Sequence, residues 1–186
     1  MTDFSFFEDE RGGSHRSLQR GVHKGRCGQL LPMDLRHFPD VPQCTRRAKA
    51  KFIGAAGEYL VDSVLTRAGL TVWTAADLDI ADRLLNIAGT AVLIQVKTVT
   101  APRHGRCTFQ NTHGNARAGG VFAYGEKDFH IAALAVLSHN VVKFVPNLGR
   151  SFSVLESELE DLAADPIDSL EVAITHIVKA RRLPQC

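Results

Sequence analysis

Four side chains of this 186-residue chain, Glu58, Asp82, Gln95 and Lys97, are of types that could do chemistry together if the fold makes them converge: three carry side-chain oxygens and the fourth an ammonium. Three oxygen donors beside a lysine make a site for a hard divalent cation, because Mg2+ prefers oxygen ligands and usually keeps several of its waters. A cation held there would lower the pKa of a bound water and offset the negative charge that builds on a phosphodiester under attack. Lys97 would orient the attacking water or stabilise that developing charge. A buried ammonium without a partner carries a large desolvation cost, so a nearby carboxylate is expected to hold Lys97.

Taken singly, each of the four has an ordinary explanation. Glu58 reads equally as a solvent-facing helical residue, Asp82 as a turn former, Gln95 as a strand residue bonded to a neighbour, and Lys97 as a charge near a strand end. Their combination is harder to dismiss. Gln95 and Lys97 lie inside Val92-Leu93-Ile94-Gln95-Val96-Lys97, where the flanking residues imply burial, and a polar pair in such a run needs a partner or a function. Two residues apart on a strand, they point to the same face.

The elements that must position these groups follow from periodicity. Thr45 is a plausible N-cap for a helix whose apolar face runs through Ala48, Phe52, Ala55, Ala56, Tyr59, Leu60, Val64 and Leu65, and Gly69 ends it. Glu58 lies on this helix, which is expected to cross the sheet and deliver the carboxylate from above. Leu70–Trp73 reads as a strand. A hairpin follows, Arg83–Ile87 and Val92–Thr98 around Ala88-Gly89-Thr90, and its second arm is apolar enough to be the central strand. Residues from Pro102 to Gly120 read as loop with a short strand at Cys107-Thr108-Phe109. A second hairpin, Ile131–Leu137 with Val141–Val145, is closed by Pro146, and helical periodicity returns over Leu155–Leu162 and Ile167–Ala180. The order of helix, mixed sheet and helices predicts an α/β (α+β) sandwich. Residues 1–44 read as a flexible basic extension, 45–150 as the core, and 151–186 as C-terminal helices packed on it.

Composition narrows the class. A hydrophobic fraction of 45% and a charged fraction of 23% are those of a globular protein, and no stretch approaches the roughly 20 apolar residues that cross a bilayer. The first ten residues lack both a basic segment and a long apolar one, so a secretory signal is not expected and a cytoplasmic setting is. Cys27, Cys44, Cys107 and Cys186 form no C-x-x-C pair and are expected as reduced thiols. His15, His23, Cys27, His37 and Cys44 match no recurring zinc spacing. The net charge is only +2, yet between Arg11 and Lys51 ten basic residues stand against two acidic ones, a local balance of +8. That asymmetry suits a polyanionic partner, and equally a solvated tail kept soluble by its charge.

Several runs carry a family resemblance. Gly54-Ala55-Ala56-Gly57-Glu58-Tyr59-Leu60-Val61, Leu65 with Gly69-Leu70-Thr71-Val72, Asp82-Arg83-Leu84-Leu85 and Ile94-Gln95-Val96-Lys97-Thr98 together resemble the PD-(D/E)XK endonuclease superfamily. The likeness is to the branch of the group I intron-encoded homing endonucleases, and more distantly to the archaeal Holliday junction resolvases. Asp128-Phe129 and Val141-Val142-Lys143-Phe144-Val145-Pro146 are similar to the strand, hairpin and closing proline that follow the core in that branch. The resemblance spans about Lys51 to Pro146.

It implies a restriction-endonuclease-like fold, a mixed central sheet flanked by helices, and Mg2+-dependent hydrolysis of DNA, with Mn2+ as a substitute cation. By position, Asp82 and Gln95 correspond to metal ligands, Glu58 to the helix-borne acidic ligand and Lys97 to the catalytic lysine. Arg46, Arg47, Lys49, Lys51, Arg103, Arg106 and Arg117 would contact DNA phosphates. A double-strand cut would favour a homo-oligomer, since one such site cuts one strand. Ala81 stands where the family's name places proline, and Gln95 where most members carry Asp or Glu. An amide oxygen binds Mg2+ but adds no negative charge, which leaves open an alternative: a catalytically inactive nucleic-acid-binding protein of the same fold.

Overall fold

The computed structural model describes residues 38–75, 80–115 and 120–182. Two helices open the described chain, α1 (Gln43–Ala48) and α2 (Ala50–Arg67), separated at Lys49. The N-cap is Pro42, and Thr45 lies buried inside α1 instead of capping it. Ile53, Gly57, Val61, Val64 and Leu65 form the buried face of α2, an i, i+4, i+8, i+11, i+12 series expected of a helix lying on a sheet. Gly69, at φ +77°, turns the chain out of the helix as the sequence suggests.

Five strands make the main sheet: β1 (Val72–Thr74), β2 (Arg83–Ile87), β3 (Thr90–Val99), β7 (Ile131–Val136) and β8 (Val141–Pro146), in the spatial order β1-β2-β3-β7-β8. All neighbours are antiparallel except β3 and β7, which run parallel. The β2–β3 turn is two residues long, Ala88 and Gly89 at φ 49° and 81°, a geometry whose twist matches that of the flanking strands. The apolar run around Ile94 is the middle strand, as expected.

Both faces of this sheet are covered, so every residue of β7 is buried. Ile94, Val96, Ile131, Ala133 and Ala135 face α2 and the C-terminal helix α4 (Asp168–Arg182), meeting Val61, Val64, Leu65, Leu170 and Ala173. Ala132, Leu134 and Val136 face the other way, onto a ribbon of β4 (Arg106–Gln110) and β9 (Ser151–Leu155) and the short helix α3 (Leu159–Ala164). The molecule is thus a mixed central sheet flanked by helices, an α+β fold.

Two expectations are corrected. The stretch from Pro102 to Gly120 is more ordered than a loop, because β4 is followed by β5 (Thr112–Asn115), which pairs with β6 (Gly120–Ala123). The segment before α3 contributes a strand, β9, ahead of the helices. In β4 only Cys107 and Phe109 turn inward, and in β9 only Val154 is buried, so neither offers a long alternation. Among the described residues no helix is long and apolar enough to cross a membrane.

Candidate active site

The site forms where β2 stops accompanying β3. Their pairing ends at Arg83 opposite Ile94, one residue after Asp82, whose N–H still donates to the Ile94 carbonyl at 3.0 Å. Beyond that point β3 runs on with β7 on one side and an open edge on the other. The next outward N–H, that of Val96, donates to Asp82 Oδ2 at 2.7 Å. The carboxylate therefore takes the place a strand carbonyl would have held, which fixes it against the edge of β3. Gln95 Nε2 donates to the same oxygen.

Consecutive residues of β3 and its extension, from Gln95 to Ala101, line one cavity of about 1070 Å3, so the cavity follows the edge of the strand rather than a face. Glu58, Asp82, Gln95 and Lys97 all line it, together with Arg46, Arg103 and Arg106. Helix α2 does not lie over the Gln95–Lys97 face, contrary to expectation. It packs on the opposite face, where a Cβ on Gly57 would overlap the side chain of Thr98. That close approach brings the next residue, Glu58, to the edge from behind. Side chains from both faces meet because the edge is open.

Lys97 is half-buried, and burial lowers its pKa from the ordinary 10.5, with the Asp82 charge opposing the shift. Its partner is not the expected carboxylate. Nζ donates to the Thr112 carbonyl at 2.9 Å and lies 4.5 Å from the centre of the Tyr124 ring. A carbonyl and an aromatic face together hold an ammonium without neutralising it. Tyr124 is fixed in turn by His113, with ring centres 4.7 Å apart, and by the edge-on Phe129 at 5.2 Å.

Asp82 has its pKa raised above 3.8, first by burial and then by the nearby Glu58 charge, while the Val96 N–H, Lys97 and Arg83 pull it back. A carboxylate whose charge is only partly compensated favours the approach of a cation. Glu58 accepts a hydrogen bond from Arg83 Nη1 at 3.2 Å. Arg83 is buried, and its Nε and Nη2 donate to the two oxygens of Asp62 at 2.6 and 2.9 Å. Nη1 also donates to the Asp82 carbonyl at 2.8 Å.

Of the basic residues expected at DNA, Arg46, Arg103 and Arg106 line the cavity. Arg103 and Arg106 exchange two backbone hydrogen bonds around His104 and Gly105, both at positive φ, which makes a tight turn carrying the two guanidinium groups. Arg47, Lys49 and Lys51 do not line it, and Lys49 Nζ lies 5.7 Å from the centre of the Phe52 ring. Arg117, His15, His23, Cys27, His37 and Cys186 lie outside the described residues, as does most of the basic N-terminal segment. Cys44 is exposed and Cys107 buried, and burial pushes the Cys107 thiol up to about 11.

Sequence reasoning missed Arg83, Asp62, Thr112 and Tyr124. The signal for Arg83 was present: Arg83 and Leu85 alternate inward on β2, so an arginine occupies a core-facing position. Asp62 stands one helical turn after Glu58, on the same side of α2.

No protein-family profile matches the chain, and no curated protein does. Among solved structures, the bacterial homing endonuclease I-Ssp6803I is similar over 57% of this chain and 78% of its own, with 20% identity and a TM-score of 0.48. That likeness is too slight to assign a function.

Proposed function

We propose that this protein is a metal-dependent endonuclease that hydrolyses DNA phosphodiester bonds in the cytoplasm. The observation that carries the reading is the convergence of Glu58, Asp82, Gln95 and Lys97 with three arginines on one cavity along the open edge of β3. The donor set fits Mg2+ or Mn2+: two carboxylates and an amide, all oxygen ligands, with Asp82 under-compensated in its desolvated position. Among the described residues no group of three or more His, Cys, Asp or Glu could hold a metal; in this reading the Gln95 amide oxygen is the third donor and waters complete the shell.

A bound Mg2+ would supply Lewis acidity toward the phosphoryl oxygen and an acidified water. The protein's own part is positioning and charge. Asp82 and Glu58 provide the negative charge that retains the cation. Lys97 spends one N–H on Thr112 and keeps two for an attacking water or a phosphate oxygen, in an orientation set before substrate arrives. Arg46, Arg103 and Arg106 neutralise flanking phosphates and hold the duplex without reading its sequence. A double-strand cut calls for two copies of the site, hence a homo-oligomer.

Gln95 favours a second reading, a DNA-binding protein that does not cleave, because the amide adds no charge and its nitrogen is engaged with Asp82. End-labelled DNA incubated with Mg2+ or Mn2+ separates the two. Cleavage by the wild type that is lost in Lys97→Ala and Asp82→Ala supports the endonuclease; salt-dependent binding without cleavage supports the second reading.

A further inference from the structure

Among the described residues Arg83 is the charged side chain most at odds with its surroundings. Its side chain is 5% exposed, it lies one residue from Asp82, and it sits between two carboxylates of α2. The two carboxylates are not used alike. Asp62 takes Nε and Nη2 in the two-pronged geometry that matches a guanidinium to a carboxylate. Glu58 receives Nη1 alone, at the longer distance of 3.2 Å, and shares it with the Asp82 carbonyl. Glu58 lines the cavity, whereas Asp62 and Arg83 do not.

We infer that Asp62 is a positioning residue for the cation site: by occupying the fork of Arg83 it keeps Glu58 available to a divalent cation. This rests on the endonuclease reading above. Arg83 is buried and needs a full counter-charge wherever it finds one. With Asp62 present, that need is met away from the cavity, and one oxygen of Glu58 makes no hydrogen bond among the described residues. With Asp62 neutralised, the nearest carboxylate able to accept the fork is Glu58, four residues away on the same helix. Both of its oxygens would then be taken, and the positive charge would lie closer to the cation. Two effects act in one direction, so cation affinity falls. Deleting the arginine as well removes the competitor, and affinity returns. A role confined to holding α2 on the sheet predicts no such return.

The test is Mn2+ binding to the full chain without DNA, followed by calorimetry and by the loss of the free-ion spin-resonance signal. Asp62→Asn is expected to bind Mn2+ about ten- to a hundredfold more weakly than the wild type, the range usual for outer-shell partners of metal ligands. The double variant Asp62→Leu/Arg83→Met, which replaces the pair by apolar groups, is expected to recover most of that loss. Circular dichroism on each variant selects a temperature at which it is folded. Should Asp62→Asn not fold at any temperature tried, Asp62→Ser takes its place beside the double variant: a loss in the single variant that the double variant recovers supports the inference, and a loss that the double variant shares, or no loss in the single variant, overturns it. Equal affinity in Asp62→Asn and wild type overturns it while leaving the cation site intact. No Mn2+ binding by the wild type overturns the inference and the endonuclease reading together.

Discussion

Asp82 Oδ2 accepts the Val96 N–H at 2.7 Å at the place where β2 has ceased to pair with β3. A ladder hydrogen bond has been exchanged for a side-chain one, and the carboxylate is thereby fixed at a strand edge that the rest of the site can reach. The consequences are measurable.

Asp82 works against folding in the metal-free protein. Its pKa is higher in the folded chain than the 3.8 of a free side chain, chiefly through burial, so the folded state binds the proton more tightly than the unfolded state does. The penalty is absent below pH 3.8, grows as pH rises toward the raised folded value, and is constant above it. Asp82→Asn should therefore melt above the wild type at pH 7 and lose that advantage as pH falls through this window. Calorimetric scans between pH 3 and 7 check both the sign and the window.

Lys97 should matter for turnover far more than for binding. Removing a preorganised donor to developing charge costs about a hundred- to a thousandfold in rate. Lys97→Ala is expected to lose cleavage by that factor while DNA affinity stays within several-fold. Single-turnover cleavage beside a binding titration shows the split.

Gly57 sets the depth at which α2 lies on β3. A methyl group there would overlap the Thr98 side chain, so Gly57→Ala must lift the helix or displace Thr98. Overpacking of this kind costs about 1–3 kcal/mol. The melting temperature should fall by about 2–4 °C for each kcal/mol. Because Glu58 is the next residue, cation affinity should fall with it, and Thr98→Ala in the same chain should restore part of both.

The arginines along the cavity should act through phosphate. Arg103→Ala and Arg106→Ala are each expected to weaken binding alike for every sequence tested and to reduce the slope of log affinity against log salt by about 1. Arg47→Ala, at a residue that does not line the cavity, should leave the slope nearly unchanged.

How much of this the sequence showed depends on how local the cause is. The central strand was legible because Val92–Ile94 is apolar on both faces, and the β2–β3 turn because Gly89 interrupts two apolar runs. That Glu58, Asp82, Gln95 and Lys97 share a cavity was expected; that α2 reaches it from behind the sheet was not. The helix side is decided by Gly57 against Thr98, a contact between residues 41 positions apart. The partner of Lys97 was misjudged for a similar reason. Thr112 and Tyr124 belong to or adjoin strands that pair with each other, and a backbone carbonyl leaves no mark in a sequence. The β4–β9 ribbon was hidden because its two arms are separated by about 40 residues and each buries only one or two side chains.

On the proposed reading, Asp82, Gln95 and Glu58 hold a divalent cation through oxygen. Anomalous diffraction from a crystal soaked in Mn2+ tests this most directly. The prediction is one strong peak at the open edge of β3, within direct coordination distance of a carboxylate oxygen of Asp82 and of Gln95 Oε1. A soaked crystal with no peak there, or with Mn2+ bound elsewhere and Gln95 contributing no oxygen, would contradict it.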